Sequence, residues 1–153
     1  GKGDDLFIIT SGITTEEAFR ARSAIKDAGI SIQHIHLHTI KPVNEEVLVD
    51  LIQKVKYGVI TMENHLINGG TGSIIADVIA KYGLSKKLIK LGLKDTFAHG
   101  GSRSYLAKYY GLDAYSLIKA IEELMKIKTG IKEENLDKVR IEDVHSLSKA
   151  EAL

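Results

Sequence analysis

The sequence predicts an α/β fold of three layers, in which helices cover both faces of a mostly parallel sheet of about five strands. Apolar runs of strand length alternate along the chain with stretches of helical period, which is typical of βαβ units. Those runs are continuous, as expected for strands that are buried on both faces. A length of 153 residues, with 44% hydrophobic and 27% charged residues, suits one globular domain.

The first strand and the first helix are predicted within residues 6–29. The run Leu6–Thr10 is apolar almost throughout, and a glycine turn follows it at once. Thr14 lies three residues before Glu17, which is the spacing of a capping box that bonds the free amides at a helix start. Small and apolar residues then recur at helical spacing, and we expect this helix to end at Gly29.

The remaining elements follow the same alternation. Proline has no amide hydrogen for a sheet ladder, so Lys41-Pro42 is expected to close the second strand. Side chains that can accept amide hydrogen bonds mark three later helix starts. The predicted strands are residues 30–39, 57–62 and 88–93, and the predicted helices begin after Asn44, the glycine segment 69–73, Ser102 and Asp113.

Residues 1–126 are predicted to form this one domain, and residues 127–153 a C-terminal extension. The extension is charged and carries only scattered apolar positions. It is therefore interpreted as a surface helix, a partner-binding segment or a disordered tail.

Charge and composition exclude several classes of function. The 21 basic residues nearly cancel the 20 acidic residues, so nucleic acid is not expected as a partner. No apolar run approaches the roughly 18 to 20 residues that cross a bilayer, and a cytoplasmic protein without a membrane segment is predicted. The chain has no cysteine, which removes disulfides, thiolate nucleophiles and thiolate metal ligands.

The glycine segment Gly69-Gly70-Thr71-Gly72-Ser73 lies between a predicted strand and a predicted helix. Exposed amides and the helix dipole can hold an anion at such a place. A dinucleotide fingerprint requires a third glycine where this chain has Ile75, and no P-loop lysine follows. A packing or interface role for these glycines is therefore favoured over ligand binding.

Histidines form the other candidate groups. His34, His36 and His38 would share one face of a strand, but no carboxylate in the strand is spaced to complete a site, so no metal is predicted. His65 and His99 follow the third and fourth strands, at the sheet edge where functional loops gather. Glu63 beside His65 could form a proton-transfer pair.

No serine or cysteine nucleophile elbow accompanies these histidines. Structural or interface hydrogen bonds are therefore favoured for Glu63, His65 and His99, and no catalytic residue is assigned. Tyr105 and Tyr109, four residues apart, are expected to form the buried side of a helix.

Four segments together resemble the C-terminal domain shared by transketolases, deoxyxylulose-phosphate synthases and the beta subunits of 2-oxo acid dehydrogenases. The resemblance covers roughly residues 4–126, and its most specific part is a Glu-x-His followed by Gly-Gly-x-Gly-Ser. The segments are Asp4-Asp5-Leu6-Phe7-Ile8-Ile9-Thr10-Ser11-Gly12, Thr39-Ile40-Lys41-Pro42, Glu63-Asn64-His65-Leu66-Ile67-Asn68-Gly69-Gly70-Thr71-Gly72-Ser73, and Asp95-Thr96-Phe97-Ala98-His99-Gly100-Gly101-Ser102 with Tyr110-Gly111-Leu112-Asp113.

The resemblance implies a noncatalytic part of a thiamine-diphosphate-dependent transketolase, which moves a two-carbon ketol unit between sugar phosphates. In that family thiamine diphosphate and magnesium are bound outside this domain, by an N-terminal domain and a pyrimidine-binding domain. These domains, or a subunit that contains them, are the implied partners, together with a second copy in a homodimer. Candidate interface or anion-contact residues are Glu63, His65, Gly69, Gly70, Gly72, Ser73 and His99.

Two alternatives stay open at this point. One is the C-terminal domain of 1-deoxy-D-xylulose-5-phosphate synthase, which shares the same motifs. The other is a small-molecule-binding or regulatory module that uses Gly69 to Ser73 to hold an anion.

Overall fold

The computed structural model describes residues 3–136, which form four strands and six α-helices. The strands are β1 (Leu6–Thr10), β2 (Ile32–His36), β3 (Gly58–Leu66) and β4 (Lys87–Leu93). The helices are α1 (Thr14–Ala24), α2 (Glu45–Lys54), α3 (Thr71–Lys81), α4 (Arg103–Tyr109), α5 (Ala114–Met125) and α6 (Glu133–Leu136).

The four strands form one sheet in the order β2-β1-β3-β4, and every pairing is parallel. Ile8 of β1, for example, lies between His34 of β2 and Ile60 of β3. The predicted α/β class with a parallel sheet is confirmed. Residues 3–136 contain four strands, one fewer than the expected number of about five.

Helices cover both faces of the sheet, which explains why the strand sequences do not alternate. Leu6 and Ile8 of β1 pack with α1 and α5 on one face, while Phe7 and Ile9 pack with α2 and α3 on the other. All four side chains are fully buried. Each strand position therefore faces a core, and an apolar residue is favoured at every one of them.

Three of the predicted helix caps form. The Asn44 side chain accepts a hydrogen bond from the Val47 amide at 3.1 Å and begins α2. Ser102 and Asp113 act in the same way at α4 and α5, by accepting from amides three residues later. Each bond satisfies an amide that has no partner inside its helix.

The predicted capping box of α1 is wrong. The helix begins at Thr14, but no side chain caps it. The Thr14 hydroxyl instead lies 2.8 Å from the Ser11 carbonyl and 2.7 Å from the Met62 carbonyl, and it is a donor to both. Glu17 accepts from the amide of Ala114 at 2.9 Å. Both side chains thus join α1 to other elements, because the tertiary partners compete with the local amides.

Two strands differ in length from their predicted ranges. β2 ends at His36, where its pairing partner Thr10 ends β1, so residues 37–39 do not belong to the strand. β3 continues beyond Met62 to Leu66, which pairs with Leu93 after a shift in register. Strand ends here follow the partner strand rather than the local sequence.

The chain after α5 returns to the body of the domain. Leu136 is 3% exposed, and Arg20 of α1 donates a hydrogen bond to its carbonyl oxygen at 3.1 Å. The rest of the predicted extension, residues 137–153, lies outside the described residues, and the domain boundary at residue 126 stays a prediction. Within residues 3–136 no helix is long and apolar enough to cross a membrane.

Candidate functional site

The candidate residues gather at one end of the sheet. Because all four strands are parallel, their carboxyl ends lie on the same side, together with the segments that follow them. This surface, which we call the carboxyl edge, consists of residues 11–13, 36–38, 63–70 and 94–102, together with α4 (Arg103–Tyr109), which directly follows the last of these segments. It contains Glu63, His65 and His99, and it adjoins the glycine segment that begins α3.

Glu63 is a buried carboxylate that binds the amino end of α3. Its side chain accepts the Thr71 amide at 2.6 Å and the Gly72 amide at 2.8 Å, one with each oxygen. The residue is 1% exposed. Two charge-assisted hydrogen bonds and the positive end of the helix dipole offset the cost of burying this side chain.

Three glycines allow β3, β4 and α3 to pack closely near Glu63, and two of them face its side chain. A Cβ atom on Gly70 would lie 2.1 Å from Glu63 Oε2, and one on Gly92 of β4 would lie 3.3 Å from Glu63 Cγ. A Cβ atom on Gly72 would lie 2.8 Å from the hydroxyl of Thr61. The close packing of β3, β4 and α3 around Glu63 therefore requires glycine, which has no side chain, at these positions.

The rest of the glycine segment is held by hydrogen bonds within the turn. The Gly69 amide donates to the Ser73 hydroxyl at 2.9 Å, and that hydroxyl donates to the Ile67 carbonyl at 3.1 Å. Gly69 has a φ of 81°, a left-handed conformation that favours glycine. Residues 67–73 thus form a turn that is held by internal bonds.

This arrangement does not fit the pyrophosphate of a thiamine cofactor. A phosphate at the start of α3 would need the amides of Thr71 and Gly72, and both already bind Glu63. It would also meet the negative charge of that carboxylate. Among residues 3–136 there is also no cluster of three or more His, Cys, Asp or Glu side chains that could hold a metal ion.

Glu63 and His65 are not a proton-transfer pair in this geometry. The Glu63 carboxylate is buried and faces α3, whereas His65 is exposed. The His65 ring instead makes a 3.1 Å contact between Nδ1 and the carbonyl of the next residue, Leu66. His65 is therefore a surface side chain of the carboxyl edge.

His99 organises the loop that follows β4. Its Nδ1 lies 2.9 Å from the Tyr110 hydroxyl, and its Nε2 lies 3.2 Å from the Tyr105 hydroxyl. The Tyr109 ring packs edge-on at 4.8 Å from the imidazole. These contacts tie the 94–102 loop to α4.

Tyr105 and Tyr109 are exposed, so the expectation that they form the buried side of a helix is wrong. Tyr105 is 50% and Tyr109 is 62% exposed, and Phe97 in the adjoining loop is fully exposed. The spacing of Tyr105 and Tyr109 is helical, but α4 has no fully buried residue. Together with Ile13, which is 49% exposed, they give the carboxyl edge an aromatic and apolar surface.

A cavity of about 440 Å³ lies beneath this surface. The sequence pattern gives no sign of it, because its walls come from segments far apart in the chain. They include the α1 start, the end of β3 and α4, with mostly apolar side chains. The lining residues are Ile13, Thr14, Glu17, Asn64, Leu93, Ala98, Gly101, Arg103, Leu106, Ala107, Tyr110 and Leu112.

The three alternating histidines have different hydrogen-bond partners, and the rings of His36 and His38 stack with their centroids 6.4 Å apart. His34 is 9% exposed, and its Nε2 lies 2.9 Å from the Thr10 hydroxyl. Burial, with a smaller effect of the Arg22 charge, lowers the pKa of His34 to about 4. His36 bonds the Thr15 hydroxyl through Nδ1 at 2.7 Å, and His38 lies beyond the end of β2.

Comparison with known proteins identifies the family. The model of the transketolase C-terminal domain matches residues 1–117. A protein of Methanocaldococcus jannaschii named as a transketolase C-terminal section is 46% identical over 124 residues, which are 81% of this chain and 38% of that protein. One subunit of an apulose-4-phosphate transketolase of Actinobacillus succinogenes is 35% identical over 118 residues, which are 76% of this chain and 38% of that subunit.

Two further relatives extend the comparison. A 1-deoxy-D-xylulose-5-phosphate synthase of Parabacteroides distasonis is 32% identical over 121 residues, which are 79% of this chain and 19% of that enzyme. A solved structure described as a split-gene transketolase in an inactive beta4 tetramer aligns with a TM-score of 0.75 and 28% identity. That alignment covers 83% of this chain and 41% of the other.

The chain thus spans about two-fifths or less of the length of these relatives. The matched region contains the Glu63 side chain, the glycine segment and the His99 loop described above. On this combination of sequence and structure, the chain belongs to the transketolase C-terminal domain family.

Proposed function

We propose that this chain is the C-terminal section of a cytoplasmic, thiamine-diphosphate-dependent transketolase and supports ketol transfer without a complete active site of its own. Thiamine diphosphate and magnesium would be bound by an N-terminal domain and a pyrimidine-binding domain, on the same or another polypeptide. This section would dock onto those domains and take part in a homodimer.

The position of Glu63 supports the proposal that this chain has no cofactor site of its own. The helix start that most resembles an anion site is filled by a carboxylate of the same chain. The domain is therefore stabilised internally at the place where a cofactor phosphate could otherwise bind. This observation also disfavours the alternative of an anion-binding regulatory module.

The exposed carboxyl edge supports docking. Aromatic residues are enriched in protein interfaces, and Phe97, Tyr105 and Tyr109 are all at least half exposed there. The loop that carries Phe97 is already held by His99, so little order would have to be gained on binding. One relative is named as a single subunit of a transketolase, which agrees with a function divided between polypeptides.

A second candidate is the C-terminal domain of 1-deoxy-D-xylulose-5-phosphate synthase. The 32% identity to such an enzyme over 121 residues favours it. The higher identity to the transketolase C-terminal section, 46%, supports ketol transfer as the first candidate. Assays of the assembled enzyme for ketol transfer between sugar phosphates, and separately for formation of 1-deoxy-D-xylulose 5-phosphate, distinguish the two.

Two binding measurements test the proposal. Calorimetric titration of the chain with thiamine diphosphate and magnesium should give no heat of binding, whereas tight binding would contradict it. The polypeptide or segment encoded immediately upstream should bind the chain when the two are expressed together.

Phe97→Asp should weaken that complex by about tenfold or more, because a charge would enter an apolar contact. Phe97 is fully exposed, so this variant should fold normally. The matched control is Val47→Asp on α2, since Val47 is 49% exposed and lies outside the carboxyl edge. Equal affinities for both variants would exclude the carboxyl edge as the docking surface.

A further inference from the structure

The cavity beneath the carboxyl edge, which we call the main cavity, is large and mostly apolar. Its volume of about 440 Å³ falls within the range of about 300 to 1,000 Å³ that is usual for binding pockets in proteins. Leu93, Leu106 and Leu112 line it, and Ile13, which also lines it, is 49% exposed. Apolar surface of this kind is stabilised when another apolar group removes it from water.

A second, smaller cavity adjoins the main cavity along α1 and α4. Its volume is about 250 Å³, and Glu17 and Ala107 line both cavities. Leu136, the last residue that the structure describes, also lines the second cavity. Leu136 is 3% exposed, and Arg20 donates a hydrogen bond to its carbonyl oxygen at 3.1 Å. The chain is therefore held beside the main cavity at the point where residues 137–153 begin.

Residues 137–153 carry apolar side chains at a regular spacing. Ile141, Val144 and Leu147 recur at every third position, and the residues between them are polar or charged. Segments that fill an apolar groove present their anchoring side chains at intervals of three or four residues. The sequence of this segment therefore matches the chemistry of the main cavity.

The segment is long enough to reach the main cavity, and it is attached next to it. Ile141 lies five residues after Leu136, a stretch that spans up to roughly 17 Å when it is extended. The path is short, because Glu17 and Ala107 belong to both cavities. A tethered segment has an effective concentration of about millimolar at a neighbouring site. This advantage favours the chain's own segment over a separate molecule as the occupant.

From these features we infer that residues 137–153 fold back over the carboxyl edge and place Ile141, Val144 and Leu147 against the apolar walls of the main cavity. The segment would then cover the surface onto which the cofactor-binding partner docks. It would compete with that partner and so regulate assembly. The competition rests on the proposed function, whereas occupation of the cavity does not.

Disulfide trapping in the full chain tests where the segment lies. The chain has no cysteine, so two introduced cysteines report a single contact. Ala98→Cys, at an exposed position in the cavity wall, is combined in turn with Ile141→Cys, Val144→Cys and Leu147→Cys. The matched control combines the same three with Val47→Cys, since Val47 is 49% exposed but lies on α2.

Under mild oxidation at low micromolar concentration, at least one pair with Ala98→Cys should form a disulfide within one chain about tenfold or more faster than its control pair. Mass spectrometry separates disulfides within a chain from those between chains, and thermal melts check folding. Equal rates at the two positions, or no disulfide at all, would overturn the inference. Disulfides formed mainly between chains would also overturn it, because a second copy would then be the occupant.

The competition with the partner has its own measurement. The disulfide-locked chain should bind the upstream-encoded polypeptide or segment about tenfold or more weakly than the same chain after reduction. Equal affinities would overturn the regulatory role. A reduced chain that does not bind the partner at all would contradict the proposed docking, while the trapping rates still decide whether the segment occupies the cavity.

Discussion

At the scale of single residues, Glu63 links the most specific sequence motif to the geometry of the domain. The carboxylate binds two amides at the start of α3, and neither amide has a partner inside the helix. The glycine segment alone suggests a site for an external anion, but the carboxylate of Glu63 occupies that position. Its role is therefore to fix the turn between β3 and α3.

Replacing Glu63 by Gln should lower the free energy of unfolding by about 2 kcal/mol. The glutamine NH₂ group cannot accept a hydrogen bond, so one of the two buried backbone amides loses its acceptor. Urea denaturation measures this loss. Glu46→Gln is the matched control, since Glu46 is an exposed carboxylate of α2 and should change stability by less than about 0.5 kcal/mol. A Glu63→Gln protein as stable as the wild type would contradict the assigned role.

His34 gives the fold a defined pH dependence. Burial, more than the nearby Arg22 and His36 charges, lowers its pKa from 6.5 to about 4 in the folded chain. The unfolded chain therefore binds the proton first as the pH falls. The contribution of His34 to the free energy of unfolding is complete above pH 6.5 and is lost as the pH falls toward 4. The loss is at most about 3 kcal/mol.

Replacing His34 by Gln should flatten the stability profile between pH 6.5 and 4 relative to the wild-type chain. Unfolding curves at several pH values test this. Replacement of the exposed His65 by Gln is the control and should leave the profile unchanged. A wild-type profile that does not differ from that of His34→Gln would contradict a neutral, buried imidazole.

At the scale of elements, the segment between β3 and α3 contains glycines with different physical requirements. A Cβ on Gly70 would collide with Glu63 at 2.1 Å, while Gly69 has open space but a φ of 81°. Gly100 in the His99 loop has neither restriction. Alanine substitutions should therefore have different costs at these three sites.

We expect Gly70→Ala to lower the free energy of unfolding the most, since the Glu63 carboxylate must move. Gly69→Ala should cost about 1 kcal/mol from backbone strain, and Gly100→Ala less than about 0.5 kcal/mol. Chemical denaturation of the three variants gives the order. A Gly100 variant as damaging as the Gly70 variant would show that contact with Glu63 is not the cause.

The sequence predicts the elements better than their ends. All four strands in residues 3–136 are located by their apolar runs, because burial on both faces leaves no polar alternation. Thr14 and Glu17 have the spacing of a cap but bond to β3 and α5, which local spacing cannot reveal. The carboxyl edge is predictable from the strand order along the chain. Its exposed tyrosines and its cavity depend on contacts between distant segments.

At the scale of the whole molecule, the carboxyl edge is the exposed apolar surface that we propose for docking. It presents Phe97, Tyr105 and Tyr109, all at least half exposed. Its residues Ile67 and Lys94 also line a groove beside β4, so this surface continues toward the outer edge of the sheet. Docking at the carboxyl edge therefore places a partner next to β4 as well.

The measurement that tests the central claim most directly is steady-state ketol transfer between sugar phosphates with thiamine diphosphate and magnesium present. Three samples are compared: this chain, the upstream-encoded polypeptide or segment, and the two together. We expect turnover only in the combined sample, because this chain supplies docking surfaces and its partner supplies the cofactor site. Turnover by this chain alone, or a combined sample no more active than the upstream part, would contradict the account.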